Sequence, residues 1–214
     1  QRKPFVLILI NGKFGKMENV YLCSFADSRM SPTLERVRRQ AEASLFFKKV
    51  FLYDEHLLGD LFLKKFRGQL IKGCRGFGYW VWKPYVILET LKKIPDGAIL
   101  LYMDAGCWIN SKGNETFELF VNRTSESPSG LLVSELTVDC LEKYYTKGDL
   151  LDFFNVRDIK EIVESPQRAA TAFFIRKDPI NIEFVEKWLA IFDHFSLIDD
   201  TPVSYTHLTL PTNR

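Results

Sequence analysis

The chain has 214 residues, a formal net charge of +2, and a composition that is 46% hydrophobic, 14% aromatic and 26% charged. This composition is typical of a folded globular protein, and the small net charge with dispersed basic residues argues against a nucleic-acid partner. No apolar run has the length needed to cross a bilayer, so we expect a cytoplasmic protein.

Strand and helix patterns alternate from about residue 20 onward. The apolar run at 20–25 predicts a strand, the helical spacing of apolar residues over 33–47 predicts a helix, and 49–53 predicts a second strand. After an amphipathic stretch, a glycine-rich aromatic loop precedes a helix predicted from Pro84 to about Lys93. The continuous apolar run at 98–103 is typical of a central strand that is covered on both faces.

The second half of the chain continues the alternation. Strands are predicted at 131–134 and 170–175, and helices near 115–121, 141–154, 157–164 and 181–192. Alternating strands and helices without internal repeats predict an α/β fold around a mainly parallel sheet.

Residues 1–16 precede Met17, from which the chain runs directly into the first strand, so we interpret them as an upstream extension. The alternative is that residues 5–10 form an edge strand.

The cysteines are widely spaced. Cys23, Cys74, Cys107 and Cys140 contain no C-x-x-C pair. This spacing argues against a zinc cluster or a disulfide framework, so we expect reduced thiols.

Candidate ligand-binding residues follow the predicted strands, because ligands of open α/β sheets bind outside the carboxyl ends of the strands. These residues are Ser24, Phe25, Ala26, Asp27, Tyr53, Asp54, Asp104, Ala105, Gly106, Cys107, Ser134 and Glu135. Asp104 directly follows a buried apolar strand, where a carboxylate has little structural reason to occur. Gly106 allows the backbone to approach a ligand closely. The alternative is that Asp104 only caps a turn.

A second cluster is the segment Arg75-Gly-Phe-Gly-Tyr-Trp-Val-Trp-Lys-Pro84. Arg75 and Lys83 could neutralise a diphosphate, and the rings of Tyr79, Trp80 and Trp82 could stack on a base or a sugar. In an extended segment Trp80 and Trp82 would point to opposite faces, so we expect only one of them to contact a ligand. The alternative is that these rings pack in the core against the following helix.

These two clusters carry a resemblance to a known family. The run from Arg75 to Tyr85, followed by Leu100-Leu-Tyr-Met-Asp-Ala-Gly-Cys107, resembles bacterial glycosyltransferases of capsule and lipopolysaccharide gene clusters. The resemblance implies a GT-A-like, Rossmann-type three-layer sandwich in which a nucleotide-sugar lies over the first strands. It also implies that Asp104 is brought to the diphosphate as a ligand of Mn²⁺ or Mg²⁺.

The chain departs from the family pattern at two places. Many relatives have Asp-x-Asp where this chain has Asp104-Ala105-Gly106, and they carry a further His- and Asp-containing motif beyond the last residue found here. Residues 203–214 resemble one translated frame of a sequencing adapter. We therefore interpret 17–202 as a glycosyltransferase domain that is incomplete at its C-terminus, followed by a non-native tail.

The expected reaction is transfer of a hexose or similar sugar from a UDP- or GDP-type donor to a hydroxyl of a glycan or lipid-linked glycan, with a position at the cytoplasmic membrane face. An inverting reaction would need a general base, for which Glu135 is the first candidate and Asp139 the second; a solvated surface role is the alternative for both. A non-catalytic carbohydrate-binding or scaffold protein is the competing hypothesis. A Rossmann oxidoreductase is disfavoured, because Gly73, Gly76 and Gly78 do not form a dinucleotide-binding motif.

Overall fold

The computed structural model describes residues 19–110 and 113–202. Its contacts divide the chain into two compact units. The first unit comprises residues 19–110, 113–134 and 169–189, and the second comprises residues 135–168 and 190–202. The extension and the tail predicted from the sequence lie outside the described residues, and the domain bounds stay a prediction.

A five-stranded sheet forms the centre of the first unit. Its strands are β1 (Val20–Phe25), β2 (Lys49–Tyr53), β3 (Ile99–Met103), β4 (Leu131–Glu135) and β5 (Arg168–Arg176), in the order β2-β1-β3-β5-β4. β1 pairs in parallel with both β2 and β3, whereas β5 is antiparallel to β3. The α/β prediction with a mainly parallel sheet is confirmed.

Helices cover both faces of this sheet. The helices of the first unit are α1 (Ser31–Ser44), α2 (Asp60–Phe66), α3 (Gly76–Tyr79), α4 (Trp82–Lys93), α5 (Asn114–Glu126) and α9 (Pro179–Ile191). On one face, Leu22 and Leu101 pack in a buried core with Val37 of α1 and Phe117 of α5. On the other face, the Cys23 thiol donates to the Val86 carbonyl of α4 at 3.7 Å.

The three-layer arrangement explains why β1 and β3 are apolar at every position except Ser24. Successive side chains of a strand point to opposite faces, and here both faces are covered. Every residue of β1 and of β3 is buried. The chain therefore emerges into solvent only at the ends of these two strands, which is where the polar residues begin.

The second unit is built from short helices: α6 (Glu142–Tyr145), α7 (Gly148–Phe153) and α8 (Lys160–Val163). The helices predicted at 141–154 and 157–164 are thus shorter than expected. The first stretch is interrupted at Thr146, which has an extended backbone, and α7 is followed by Asn155 with a φ of 54°. None of the helices in the described ranges combines the length and apolar character that crossing a membrane requires.

Candidate active site

A pocket of about 230 Å³ lies at the carboxyl ends of β1 and β3. All of its lining residues belong to the first unit. They are Phe25, Ala26, Asp27, Arg29, Met30, Gly76, Phe77, Trp80, Trp82, Asp104, Ala105 and Gly106. The pocket therefore combines the residues that follow two parallel strands with the glycine-rich aromatic segment.

Asp27 and Arg29 form the charged side of the pocket after β1. Asp27 Oδ1 accepts a hydrogen bond from the Arg29 backbone N–H at 3.1 Å, and Oδ2 accepts one from Nε at 3.0 Å and another from Nη2. The Asp27 side chain is 8% exposed and the Arg29 side chain 46%. The buried carboxylate thus fixes the orientation of a guanidinium that remains accessible in the pocket.

Asp104 forms the charged side after β3, and its charge is already compensated. Its Oδ1 lies 3.0 Å from the Lys83 Nζ and accepts a hydrogen bond from the Tyr102 hydroxyl at 2.5 Å. Lys83 is 7% exposed at its side chain and also donates to the Ala170 carbonyl at 2.9 Å. Burial, and then the charge of Asp104, raise the pKa of Tyr102 well above its ordinary value, so the hydroxyl remains a neutral donor.

The loop that follows Asp104 is held from helix α1. Arg36 donates to the carbonyl of Cys107 at 2.7 Å and to the carbonyl of Ala105, and its guanidinium lies 4.2 Å from the centre of the Trp108 ring. Burial lowers the pKa of Arg36 from its ordinary value, although an arginine in a protein stays protonated. This one side chain therefore fixes two carbonyls on either side of Gly106.

The aromatic wall is built by a left-handed turn. Residues 76–80 all have positive φ: 58° at Gly76, 49° at Phe77, 87° at Gly78, 52° at Tyr79 and 63° at Trp80. Backbone bonds from the Tyr79 N–H to Arg75 and from the Trp80 N–H to Gly76 close the turn. The Trp82 Nε1 donates to the Gly76 carbonyl at 2.9 Å and ties the turn to the start of α4.

This turn removes the premise of the expectation that only one tryptophan contacts a ligand. That expectation assumed an extended segment, whereas Trp80 ends a left-handed turn and Trp82 begins α4. Both residues line the pocket together with Phe77. Trp82 is also a packed ring, because it stacks on Phe25 with centroids 4.1 Å apart.

The other residues selected from the sequence occupy varied positions. Eight of them line the pocket: Phe25, Ala26, Asp27, Trp80, Trp82, Asp104, Ala105 and Gly106. Arg75 lies over the Trp80 ring at 5.7 Å, and Lys83 pairs with Asp104. Tyr79 belongs to the left-handed turn, but the pocket lining does not include it.

Two of the selected residues are part of the core. Ser24 is fully buried, and its Oγ has no hydrogen-bond partner among the residues that the structure describes. The Tyr53 hydroxyl accepts hydrogen bonds from Thr90 at 3.1 Å and from Lys93 at 3.3 Å. Both side chains therefore serve the packing between β1, β2 and α4, and neither lines the pocket.

The two candidate general bases belong to the second unit. Glu135 pairs with Arg168 at 2.5 Å, and both side chains are about half exposed. A hydrogen bond from Thr137 lowers the pKa of Asp139 below its ordinary value, which makes this carboxylate a weaker base than most aspartates.

Sequence reasoning missed Arg29, Met30 and Phe77 as residues of the pocket. Asp27 was predicted only as part of the rim after the first strand, and its pairing with Arg29 was not predicted. An available signal was the Asp-x-Arg spacing directly after a strand, because a carboxylate two residues before an arginine can cap a turn and orient the guanidinium.

The pocket carboxylates do not fit a divalent cation. Within residues 19–110 and 113–202, no three His, Cys, Asp or Glu side chains form a group that could hold a metal ion. Mn²⁺ and Mg²⁺ need negatively charged oxygen ligands, whereas Asp27 and Asp104 are both paired with cationic side chains. Two like unit charges about 4 Å apart repel by about 4 kcal/mol near a protein surface, so the Lys83 ammonium disfavours a second cation at Asp104.

Comparisons with known proteins give no family assignment. No protein-family model matches the sequence, and no curated protein matches it. Among solved structures, the chain is similar to the galactosyltransferase LgtC in complex with donor and acceptor sugar analogs, with 11% identity and a TM-score of 0.44 over 85% of this chain and 66% of that chain. An active-site mutant of LgtC gives 9% identity and a TM-score of 0.40 over 84% of this chain and 66% of that chain. The chain thus spans 66% of the length of both.

Proposed function

We propose that this chain is a glycosyltransferase that moves a hexose or similar sugar from a nucleotide-diphosphate sugar to a hydroxyl of a surface polysaccharide or lipopolysaccharide precursor. The observation that carries the proposal is the composition of the pocket, which places aromatic rings, a carboxylate and an arginine around one space. The pocket also lies where α/β sheets bind their ligands, outside the carboxyl ends of the strands.

The pocket residues divide into stacking and charged groups. The faces of Phe77, Trp80 and Trp82 suit a nucleotide base or a sugar ring. Arg29, with Arg75 beside the Trp80 ring, would stabilise the charge that develops on the leaving diphosphate. The Lys83 ammonium is engaged by Asp104 and by the Ala170 carbonyl, so we assign it to holding Asp104 and not to neutralising the diphosphate.

An inverting reaction would also require a base near the acceptor hydroxyl. We keep Glu135 as the first candidate and Asp139 as the second, because the lowered pKa of Asp139 makes it the weaker base. The proposal places the protein in the cytoplasm, at the membrane face from which a lipid-linked acceptor can be reached.

Blocking the pocket tests whether it binds the donor. A Cβ added at Gly106 meets no atom within 4 Å, so Gly106→Leu should extend into the pocket without disturbing the backbone. Gly68 has the same free space but does not line the pocket, so Gly68→Leu is the matched control. Wild type and both variants are heated with UDP-, GDP- and CMP-sugars, because a ligand that binds only the native state raises the melting temperature.

We expect a UDP- or GDP-sugar, and not a CMP-sugar, which carries a monophosphate, to stabilise the wild type and Gly68→Leu but not Gly106→Leu. Failure of every nucleotide-sugar to stabilise the wild type, or an unchanged response of Gly106→Leu, would contradict the proposal. Binding without transfer would favour the second candidate, a non-catalytic carbohydrate-binding protein. That candidate is favoured by the pairing of both pocket carboxylates, Asp27 and Asp104, with cations.

A further inference from the structure

We propose that the pocket binds the diphosphate of its donor without a divalent cation, with Arg29 taking the negative charge and Asp104 accepting a hydroxyl of the donor. The inference rests on the proposed function and specifies how the same site recognises its substrate. It is carried by the pairing of the charged groups around the pocket.

Asp104 already has a cationic partner, the Lys83 ammonium. A divalent cation would be held there by carboxylate oxygens, but Oδ1 is already shared by the Lys83 ammonium and the Tyr102 hydroxyl. Lys83 is buried and is fixed a second time by the Ala170 carbonyl, so it cannot leave without losing both partners. The Lys83 side chain therefore supplies the positive charge that a metal would bring to Asp104.

The second step concerns what Asp104 can still do. An ionised carboxylate has about four acceptor positions, and Lys83 and Tyr102 use two of them. No other residue in the described ranges donates to Asp104, whose side chain is 27% exposed and lines the pocket. Lys83 neutralises Asp104 from the buried side, and part of the carboxylate is exposed in the pocket. Such a carboxylate can accept a hydrogen bond from a hydroxyl of the ligand, such as a sugar or ribose hydroxyl.

The third step concerns the negative charge of the ligand. Among the described residues that line the pocket, Arg29 is the one with a cationic side chain. A guanidinium has five N–H donors, and Asp27 accepts two of them, so three remain. Because Asp27 holds the planar group in one orientation, little freedom is lost when the remaining donors bind a phosphate.

Equilibrium binding with and without metal tests the inference. Isothermal titration calorimetry is performed with uridine and guanosine diphosphates, once with EDTA and once with Mn²⁺. For the diphosphate that binds better, we expect dissociation constants that agree within about threefold in the two buffers. Arg29→Gln should weaken binding at least about tenfold in both buffers, as expected for the loss of a charge-assisted hydrogen bond.

Two further variants separate the roles of the charged groups. Arg38→Gln is the control for Arg29→Gln. The Arg38 side chain lies on α1, is 52% exposed, pairs with Glu35 and does not line the pocket, so its removal should leave binding unchanged. Asp104→Asn should weaken binding by the same factor with EDTA and with Mn²⁺. The amide oxygen can still accept from Lys83 and Tyr102, but an NH2 donor then replaces the second oxygen, which would accept the ribose hydroxyl of the diphosphate. Circular dichroism checks that each variant is folded.

The other outcomes would contradict the metal independence, the role of Arg29 or the proposed function itself. Binding that requires Mn²⁺, or an Asp104→Asn defect confined to the Mn²⁺ buffer, would overturn the metal-independent inference and leave the proposed function in place. Wild-type affinity in Arg29→Gln would overturn the role of Arg29. Absence of binding by both diphosphates in both buffers would overturn the inference together with the proposed function.

Discussion

The Cys23 thiol and the Tyr53 hydroxyl are buried between the sheet and α4 and retain their protons far into the alkaline range. Burial raises the pKa of Cys23 from 9.0 to about 12, and burial likewise raises the pKa of Tyr53 from 10.0 to about 12. In the unfolded chain both groups ionise at their ordinary pKa values. Between about pH 9 and pH 12 the native state therefore binds more protons than the unfolded state.

This difference in bound protons predicts that the native state becomes less stable as the pH rises. Stability changes with pH in proportion to the protons bound by the unfolded state minus those bound by the native state, and here that difference is negative. The free energy of unfolding, measured in urea, should therefore fall as pH rises from about 9 toward 12. Cys23→Ala should make this decrease shallower. An equally steep decrease in Cys23→Ala would show that the thiol is not protected.

Arg36 shows how one residue outside the pocket can position the pocket. Its guanidinium bonds the carbonyls of Ala105 and Cys107 and stacks on Trp108, so the loop after Asp104 depends on it. Hydrogen bonds from a charged donor contribute about 1.5–3 kcal/mol. We expect Arg36→Met to lower the free energy of unfolding by about 2 kcal/mol and to weaken donor binding.

Arg38→Met on the same helix is the control, because the Arg38 side chain is 52% exposed and pairs only with Glu35 in the part of the chain that the structure describes. Urea unfolding and calorimetric titration of the donor nucleotide measure the two effects. Equal stability and affinity in Arg36→Met and Arg38→Met would mean that the loop is held by other contacts.

Among the elements, the left-handed turn α3 is the most demanding on the sequence. A left-handed conformation costs an ordinary L-residue about 1–2 kcal/mol, and Phe77, Tyr79 and Trp80 all adopt it. The cost is offset by packing, since Phe77 stacks near Phe25 and Trp82 bonds the Gly76 carbonyl. Strained backbone of this kind occurs preferentially at functional sites, and here it presents two aromatic rings to the pocket.

Gly76→Ala tests whether the turn needs its glycine. The added Cβ would lie 2.5 Å from the Trp80 ring at a φ of +58°, so the ring must move. We expect a loss of about 1–3 kcal/mol in the free energy of unfolding, measured in urea, with a weaker donor affinity. Gly68→Ala meets no atom within 4 Å and serves as the control. A Gly76→Ala protein as stable as Gly68→Ala would contradict the description of the turn.

Strands and helices could be predicted from the sequence where a local pattern of apolar residues or a proline marks them. The buried runs of β1 and β3 are apolar except for Ser24, and Pro84 lies in the first turn of α4 as predicted. The left-handed turn could not be predicted, because Gly-Phe-Gly is also compatible with an ordinary loop. Its conformation depends on the Trp82 side chain and on packing against Phe25, which are contacts within the folded unit.

At the scale of the whole molecule, the α/β fold followed from the alternation of strands and helices, but the direction of β5 did not. Strand order and direction depend on which strand edges meet in three dimensions. β5 begins at Arg168, far along the chain from the end of β3 at Met103, and the local sequence pattern does not indicate that the two strands pair or that they are antiparallel. The site shows the same limit. Asp104 was identifiable from its place after β3, whereas its pairing with Lys83 and the orientation of Arg29 by Asp27 are side-chain geometry.

The central claim is that the pocket containing Asp104 performs glycosyl transfer, and the transfer rate of Asp104→Asn tests it most directly. The amide is nearly isosteric, and its oxygen can still accept from Lys83 and Tyr102, so circular dichroism should match the wild type. The amide loses the carboxylate charge that we propose orients the donor, and a misplaced donor typically costs about a hundredfold in rate. We predict that transfer of labelled sugar from the nucleotide-sugar found in the thermal screen falls at least about a hundredfold. Wild-type turnover in a folded Asp104→Asn protein would contradict the account.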